Sequence, residues 1–263
     1  MKKILLPALL LMSLSAMAFG KKSNDHYDLS TSERVLAAKI ELNNAGEFLD
    51  ANMVPIGSAV LTDSGELYEQ GIKGILHAAS GSMTRFDGIF QPSLEGITNS
   101  LKNSLLLAKK QGFKSVAIPF IGSGIFLQRL GVDKKELAYH IAKASLHNSR
   151  NIRIVFVGYS EEDRSLLEEA RLRALEEITL KKKVWDFLHF SASASKRSSV
   201  AGGSLVDYDV HQCELIINPA NTEVSFGGGL SGVIARASRK SYEIDRDAQE
   251  MIQEIAHQLN LQK

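Results

Sequence analysis

The chain has 263 residues, of which 44% are hydrophobic and 23% are charged, and its formal net charge at pH 7 is +1. This length and apolar content suffice for one large domain or two small ones with a buried core. The balanced charge gives no electrostatic basis for nucleic-acid binding. The single cysteine, Cys213, excludes an intrachain disulfide, and its place beside an apolar run predicts a small buried residue.

The N-terminus has the pattern of a bacterial secretory signal peptide. Residues 1–3 include two lysines, residues 4–12 are apolar except for one proline, and residues 16–18 are an Ala-Met-Ala cleavage motif. The apolar run is too short to span a membrane; a buried N-terminal helix is the alternative interpretation. We predict a signal peptide over 1–18, a disordered segment over 19–31, and a periplasmic or secreted mature protein that has no membrane association.

The first half of the remaining chain predicts alternating helices and strands. Residues 32–44 predict a helix that Ser32 caps, and the β-prone residues 58–62 and 74–79 predict two strands. His77 lies in the second of these strands, where a satisfied core or rim histidine is expected rather than a catalytic one. Further along, we predict a helix over 94–108 and a strand over 115–120.

The second half continues the same alternation. We predict a helix over 137–144, a strand over 151–157, and a charged helix that begins at a capping box of Ser160 and Asp163. Further on, the sequence predicts a strand at 184–190, a flexible low-complexity connector at 191–204 and a closing helix at 248–259.

A glycine-rich loop directly follows the strand at 115–120. It reads Gly122-Ser123-Gly124-Ile125-Phe126. A single G-x-G is weak evidence, because the last glycine of a dinucleotide fingerprint and the lysine of a phosphate-binding P-loop are both absent. No glycine stands two residues before Ser123, so the loop is not a nucleophile elbow either.

A second glycine-rich loop lies within residues 213–238. An apolar strand at 215–217 is predicted to stop at Asn218-Pro219-Ala220-Asn221, because proline cannot donate to a β-ladder. Gly227, Gly228 and Gly229 follow, and the next residues, from Leu230 on, have helical periodicity. This order points unpaired N–H groups and a positive helix end at a cleft, which suits phosphate. An ordinary glycine-rich turn is the alternative.

The second loop resembles the signature of macrodomains, the ADP-ribose-binding family, whose pattern is N-A-A-N, a short spacer, G-G-G and a helix. Pro219 is the one departure in the first motif. Residues 115–126 resemble the family's second motif, a strand that ends in P-x-x-S/G-x-G-I/V-F/Y. Residues 54–80 resemble the middle of the family's domain, where a P-x-G-x-A segment leads into an I-H-A strand.

The order of these motifs is rotated relative to the family, which has the N-A-A-N signature near the start of the domain. The resemblance implies a circularly permuted α/β protein, a three-layer α/β/α sandwich with a mixed central sheet. It implies a single domain over residues 32–263, with the connector at 191–204 as the join.

The resemblance also implies the ligand and its contacts. The implied partner is ADP-ribose or an ADP-ribosylated protein. The implied oligomeric state is a monomer. The two loops would hold the diphosphate, Asn221 the distal ribose and Ser204 the adenine; Tyr159 would stack on the adenine. No cofactor is implied, and the seven histidines form no metal-binding motif. The implied ligand-binding residues are Asn218 (bracing its loop), Asn221, Gly227, Gly228, Gly229, Leu230, Gly122, Ser123, Gly124, Ile125, Phe126 (against the distal ribose, or a core aromatic), Ser204 and Leu205.

Catalysis is left open by the sequence. Hydrolytic members of the family place water with the loop asparagine, which would give Asn221 a catalytic role towards mono-ADP-ribosyl proteins or O-acetyl-ADP-ribose. One subgroup adds an aspartate at the position of Ser231, and serine is a poor general base at neutral pH. Ser204 likewise replaces the family's adenine-binding aspartate, which would lower affinity. Binding without hydrolysis and a non-catalytic protein-interaction module are the other two readings.

Overall fold

The computed structural model describes residues 38–44, 50–83, 90–124, 126–149, 151–180 and 195–259. Several sequence predictions therefore lie outside the described residues. They are the signal peptide, the segment 19–31, the cap at Ser32, the strand at 184–190, the first residues of the connector, and Ile125.

A mixed β-sheet forms the centre of the fold. Its strands run in the order β1-β2-β3-β8-β5-β6-β7, and β4 pairs with β3 outside this path. Strands β3, β8, β5, β6 and β7 are mutually parallel, whereas β1, β2 and β4 join by antiparallel pairing. The strands are β1 Lys39–Glu41, β2 Ala59–Thr62, β3 Gly74–Met83, β4 Phe90–Pro92, β5 Ser115–Pro119, β6 Arg153–Gly158, β7 Ser198–Gly202 and β8 Leu215–Asn221.

Helices cover both faces of this sheet. The α-helices are α1 Leu94–Lys110, α2 Lys134–Asn148, α3 Glu161–Leu180, α4 Tyr208–His211, α5 Gly229–Ser238 and α6 Ser241–Gln258, and two 3-10 helices span Gly65–Gln70 and Leu127–Arg129. Helices α1 to α3 pack on one face, and α5 and α6 on the other. The predicted α/β/α sandwich with a mixed sheet is therefore confirmed. No helix among the described residues is long and apolar enough to cross a membrane.

Strand β8 shows why helices pack on both faces of the sheet. Leu215 and Ile217 pack into the core under α1 to α3, whereas Ile216, between them, packs into the core under α5. Successive side chains of a strand point to opposite faces, so an unbroken apolar run is what a strand buried on both sides requires.

Two sequence predictions at the ends of the sheet are wrong. Residues 39–41 form β1 rather than part of a helix, because Ile40 pairs with Val60 of β2. Most of the predicted connector is ordered: Ser198–Gly202 is β7, which pairs in parallel with β6. Its small residues resemble a linker in composition, but pairing along β6 satisfies their backbone groups and fixes their conformation.

Strand β8 also continues through the asparagine–proline segment, where the sequence predicted a loop. Its pairing with β3 runs to Asn221, whereas its pairing with β5 covers only Val116–Leu215 and Ala117–Ile216. Beyond Ile216 the strand is paired on one side only. Proline is tolerated at such an edge, since no ladder hydrogen bond is required there.

Candidate functional site

The two glycine loops follow neighbouring parallel strands. β5 leads into the loop of Gly122 and Gly124, and β8 leads through residues 222–226 into Gly227. The carboxyl ends of parallel strands lie at the same edge of a sheet, where open α/β sheets bind their ligands. Because pairing between β5 and β8 stops at Ala117 and Ile216, the two chain segments separate towards this edge. The sheet therefore opens between the two loops.

The second loop presents glycines to open space. A methyl group added at Gly227, Gly228 or Gly229 would meet no atom within 4 Å. Gly229 has a left-handed φ of +59°, and α5 begins at this residue with no side chain capping it. Within the described part of the chain, the N–H groups of Gly228, Gly229 and Leu230 have no acceptor. Three free donors at the positive end of a helix form an anion-binding arrangement.

Gly227 does not contribute a free donor, which corrects the expectation that all three glycines do. Its N–H donates to Ser231 Oγ at 3.1 Å. Ser231 is 7% exposed and lies in the first turn of α5. Its hydroxyl closes the loop onto the helix, so the free donors begin one residue later than the sequence suggested.

The first loop is held from beneath by apolar side chains. Gly122 has a φ of +82°, and a Cβ there would lie 2.9 Å from the Leu130 side chain. The Ser123 hydroxyl and N–H both donate to the carbonyl of Phe120, so this side chain braces the loop. Gly124 is exposed and has open space around it. Gly124 is thus the residue of this loop where the backbone is open to a ligand.

Phe126 belongs to an aromatic pair. Its ring meets Phe90 of β4 edge-on, with the ring centroids 5.0 Å apart. The guanidinium of Arg129 lies 5.8 Å from the Phe126 centroid, and its Nη1 donates to the Phe90 carbonyl. The ring is half-buried, so it both packs on its neighbour and keeps an open face.

Asn218 lies beneath the surface rather than on it. It is fully buried, and its Nδ2 donates to His77 Nδ1 at 3.1 Å. Direct ligand contact is therefore wrong for this residue, whereas its expected bracing role agrees with the structure. His77 is also fully buried, and burial lowers its pKa to about 3. With hydrogen bonds at both ring nitrogens, it is the satisfied core histidine that the sequence predicted.

Asn221 is the less buried of the two asparagines. It ends β8, is half-buried, and pairs with Gly81 across the bulge in β3. Its Oδ1 is buried without a hydrogen-bond partner among the described residues. A side-chain amide can both donate to and accept from sugar hydroxyls.

Comparison with known proteins bears on the same elements. Residues 36–138, which include β2, β3, α1, β5 and the first glycine loop, match the family model "Macro domain". An uncharacterized protein of Aquifex aeolicus (strain VF5) is similar to the chain, with 37% identity over 79 residues, or 30% of the chain. The alignment spans 44% of that relative's length.

Macro domains bind ADP-ribose compounds, and this chain has the Macro domain fold. The family match ends at residue 138, so β8 and the second glycine loop lie outside it. β8 nevertheless occupies the centre of the sheet, between β3 and β5, which both lie inside it. The tertiary structure thus unites the matched and unmatched parts of the chain in one sheet.

At the far end of the same edge, β6 and β7 contribute a third group of residues. Gly203 N–H donates to the Gly158 carbonyl, which ties the residues after β7 to the end of β6. Tyr159 is 87% exposed, and Ser204 is half-buried. Leu205 is 4% exposed and packs in the core beside Ile216 and Ile234. Its side chain is therefore a core residue, so the predicted ligand contact of Leu205 would involve its backbone.

Sequence reasoning missed Asp245 of α6. Both of its carboxylate oxygens lie near the Phe226 N–H, at 3.1 and 3.3 Å, immediately before the second glycine loop. Burial raises the pKa of this carboxyl. The signal was present in the sequence, because Asp245 adjoins the buried stripe of Ile244, Ala248 and Ile252. No metal-ligating cluster occurs among the described residues.

Proposed function

We propose that the chain binds ADP-ribose or a related ADP-ribosyl compound in the cleft between its two glycine loops. The observation that carries this proposal is the placement of both loops after adjacent parallel strands, β5 and β8, which part before their ends. A nucleoside diphosphate needs anion donors and hydroxyl partners side by side, and this edge offers both.

The diphosphate fits the start of α5. Phosphate oxygens only accept hydrogen bonds, and the N–H groups of Gly228, Gly229 and Leu230 only donate them. The helix end adds partial positive charge without any basic side chain. This matches a chain whose net charge is close to zero, because recognition then depends on backbone geometry.

Side-chain chemistry indicates which residues contact the distal ribose and the adenine at the two ends of the ligand. The Asn221 amide suits ribose hydroxyls, with the half-buried ring of Phe126 as the apolar face for the same sugar. At the other end, we propose that the exposed Tyr159 stacks on adenine and that the Ser204 hydroxyl hydrogen-bonds to the base. A neutral hydroxyl replaces a carboxylate here, so the base contact lacks charge assistance.

We also propose that this Macro domain is circularly permuted as one domain from residue 32 to 263. Its support is the central position of β8, a late strand between two early ones. β7, which precedes β8 in the chain, pairs with β6, so the strand that follows α3 remains in the same sheet. Export through residues 1–18 stays a prediction from the sequence.

Hydrolysis of an ADP-ribosyl bond is the second candidate function. The half-buried Asp245 favours it, since a carboxyl of raised pKa beside a ligand loop is a common feature of general bases. In this reading Asn221 positions the water. Ser231 is a poor base candidate because a serine hydroxyl is a weak general base at neutral pH.

Titration calorimetry with ADP-ribose tests the proposal. Gly228 has φ −81° and open surroundings, so Gly228→Glu can fold while placing a negative charge among the phosphate donors. We expect this variant to weaken binding by about a hundredfold, the effect of losing two or more charge-assisted hydrogen bonds. Ser165→Glu adds the same charge on the exposed face of α3, and its affinity should stay within about twofold.

Two outcomes separate the alternatives. Absence of heat from the unmodified chain at millimolar ADP-ribose would overturn the proposal and leave the protein-interaction module. Release of ADP-ribose from a mono-ADP-ribosylated protein, lost in Asn221→Ala, would establish the hydrolase.

A further inference from the structure

His77 occupies a position between the two halves of the fold. It lies in the middle of β3, opposite Val60 of β2 on one side and Asn218 of β8 on the other. Its ring is fully buried, with Nε2 2.9 Å from Thr62 Oγ1 and Nδ1 3.1 Å from Asn218 Nδ2.

The direction of each of these hydrogen bonds is fixed by chemistry. The one hydroxyl proton of Thr62 is donated to the Asp63 carbonyl at 3.1 Å, so Oγ1 can only accept from Nε2, and the ring proton resides on Nε2. Nδ1 is therefore the acceptor, and the Asn218 amide donates to it through Nδ2. Burial keeps the imidazole neutral by lowering its pKa to about 3, so this arrangement persists across physiological pH.

This chain sets the orientation of the Asn218 amide. Rotating the amide by half a turn would bring Oδ1 against the lone pair of Nδ1, which is repulsive. Oδ1 therefore points away from His77, buried and without a partner in the described part of the chain. A buried acceptor without a partner is unfavourable, so the orientation persists only because His77 imposes it.

A second contact joins His77 to the glycine loop. Its ring lies 5.3 Å from the Phe226 ring, centroid to centroid, at a tilt of 58°. Phe226 directly precedes Gly227, and its N–H is held by Asp245. The imidazole ring therefore packs against Phe226 at the start of the glycine loop, and its Nδ1 accepts a hydrogen bond from Asn218 of β8.

We propose that His77 is a positioning residue for the ligand cleft, which orients Asn218 in β8 and supports Phe226 so that Asn221 and the N–H groups of Gly228 to Leu230 stand in binding geometry. This inference rests on the proposed function for its ligand. It assigns His77 a role in affinity that an ordinary core residue does not have.

Two substitutions separate the contacts of the ring. In His77→Asn the side-chain oxygen can take the place of Nδ1 and keep the acceptor for Asn218. In His77→Gln the amide nitrogen can take the place of Nε2, keeping the donor to Thr62 and losing the acceptor. We expect His77→Gln to raise the Kd for ADP-ribose about tenfold, equivalent to about 1.4 kcal/mol. His77→Asn should raise it about threefold, because it keeps the acceptor for Asn218 and loses the ring contact and the donor to Thr62.

Ile75→Val is the matched control. Ile75 is fully buried on the same face of the same strand, two residues earlier. Its aliphatic side chain makes no hydrogen bond to Asn218 or to the loop. It should lower stability and leave the Kd within about twofold. If His77→Gln and His77→Asn bind as tightly as Ile75→Val, His77 is an ordinary core residue and the proposal is wrong.

Hydrogen exchange of the unliganded protein tests the same idea without nucleotide. The amides of Phe226 and Gly227, which donate to Asp245 and to Ser231 Oγ, should exchange at least about tenfold faster in His77→Gln than in Ile75→Val, whereas the β5 and β6 amides should not differ. Equal exchange would overturn the proposal, even where ADP-ribose binding is established. Should His77→Gln not fold, Phe226→Leu removes the ring contact alone, and an unchanged loop there overturns it equally.

Discussion

The hydroxyl of Ser231 accepts a hydrogen bond from the N–H of Gly227, at 3.1 Å, and so joins the first turn of α5 to the loop that precedes it. Serine at this position thus has a conformational role. It removes one backbone donor from the cleft and leaves the next three free, which determines where an anion can bind.

Replacing Ser231 tests this contact. Ser231→Ala removes the acceptor of the Gly227 N–H, and we expect a loss of about 1 kcal/mol in unfolding free energy together with weaker ADP-ribose binding. Ser231→Thr keeps a hydroxyl acceptor without adding charge and should retain more of the affinity than Ser231→Ala. Urea denaturation and calorimetry measure the two effects; equal affinity in the alanine variant and the unmodified chain would contradict the assigned role.

The two neighbouring glycines should respond differently to alanine. Gly229 has φ +59°, so Gly229→Ala imposes left-handed backbone on a side-chain-bearing residue, at about 1–2 kcal/mol. Gly228 has φ −81° and open surroundings, so Gly228→Ala should change stability by less than about 0.5 kcal/mol. Comparable thermal melting points for the two variants would show that the loop does not require the left-handed conformation.

Asp245 should make stability depend on pH. Its folded pKa is raised by burial, so the folded state binds the proton more tightly than the unfolded chain does. Unfolding free energy should therefore fall as pH rises from the ordinary value of 3.8 through the raised folded pKa. Asp245→Asn keeps an acceptor for Phe226 and should lose this dependence.

The matched control for that experiment is Asp247→Asn, on the same helix, where the carboxylate pairs with Arg246 at the surface. Urea titrations at several pH values compare the three proteins. If the unfolding free energy of Asp245→Asn changes with pH as much as that of the unmodified chain, another group causes the pH dependence.

Cys213 should be inert in the folded protein. It is fully buried, and burial raises the pKa of its thiol to about 11, so little thiolate exists at neutral pH. We expect thiol reagents to label it only at the rate of global unfolding and at once in denaturant. Rapid labelling of the native protein would reveal local opening at the start of β8.

The sequence could predict most of the fold because its signals are local. β3, β5 and β6 are apolar runs of strand length, and the capping box of Ser160 and Asp163 forms as expected, with Asp163 N–H donating to Ser160 Oγ at 3.1 Å. Residues 39–41 and 198–202 have no such signal. They are strands only because a neighbouring strand satisfies their backbone groups, and that partner is distant along the chain.

The same division applies to the candidate site. The amino-acid sequence by itself determined the two glycine loops, Asn221, and the residue types that suit a nucleoside diphosphate, because these depend on backbone freedom and side-chain chemistry at successive positions. Only the tertiary structure decided that Asn218 is buried on His77, that Leu205 is core, and that Asp245 reaches Phe226. Each of these depends on pairs of residues far apart in sequence, whose proximity arises from strand order and helix packing.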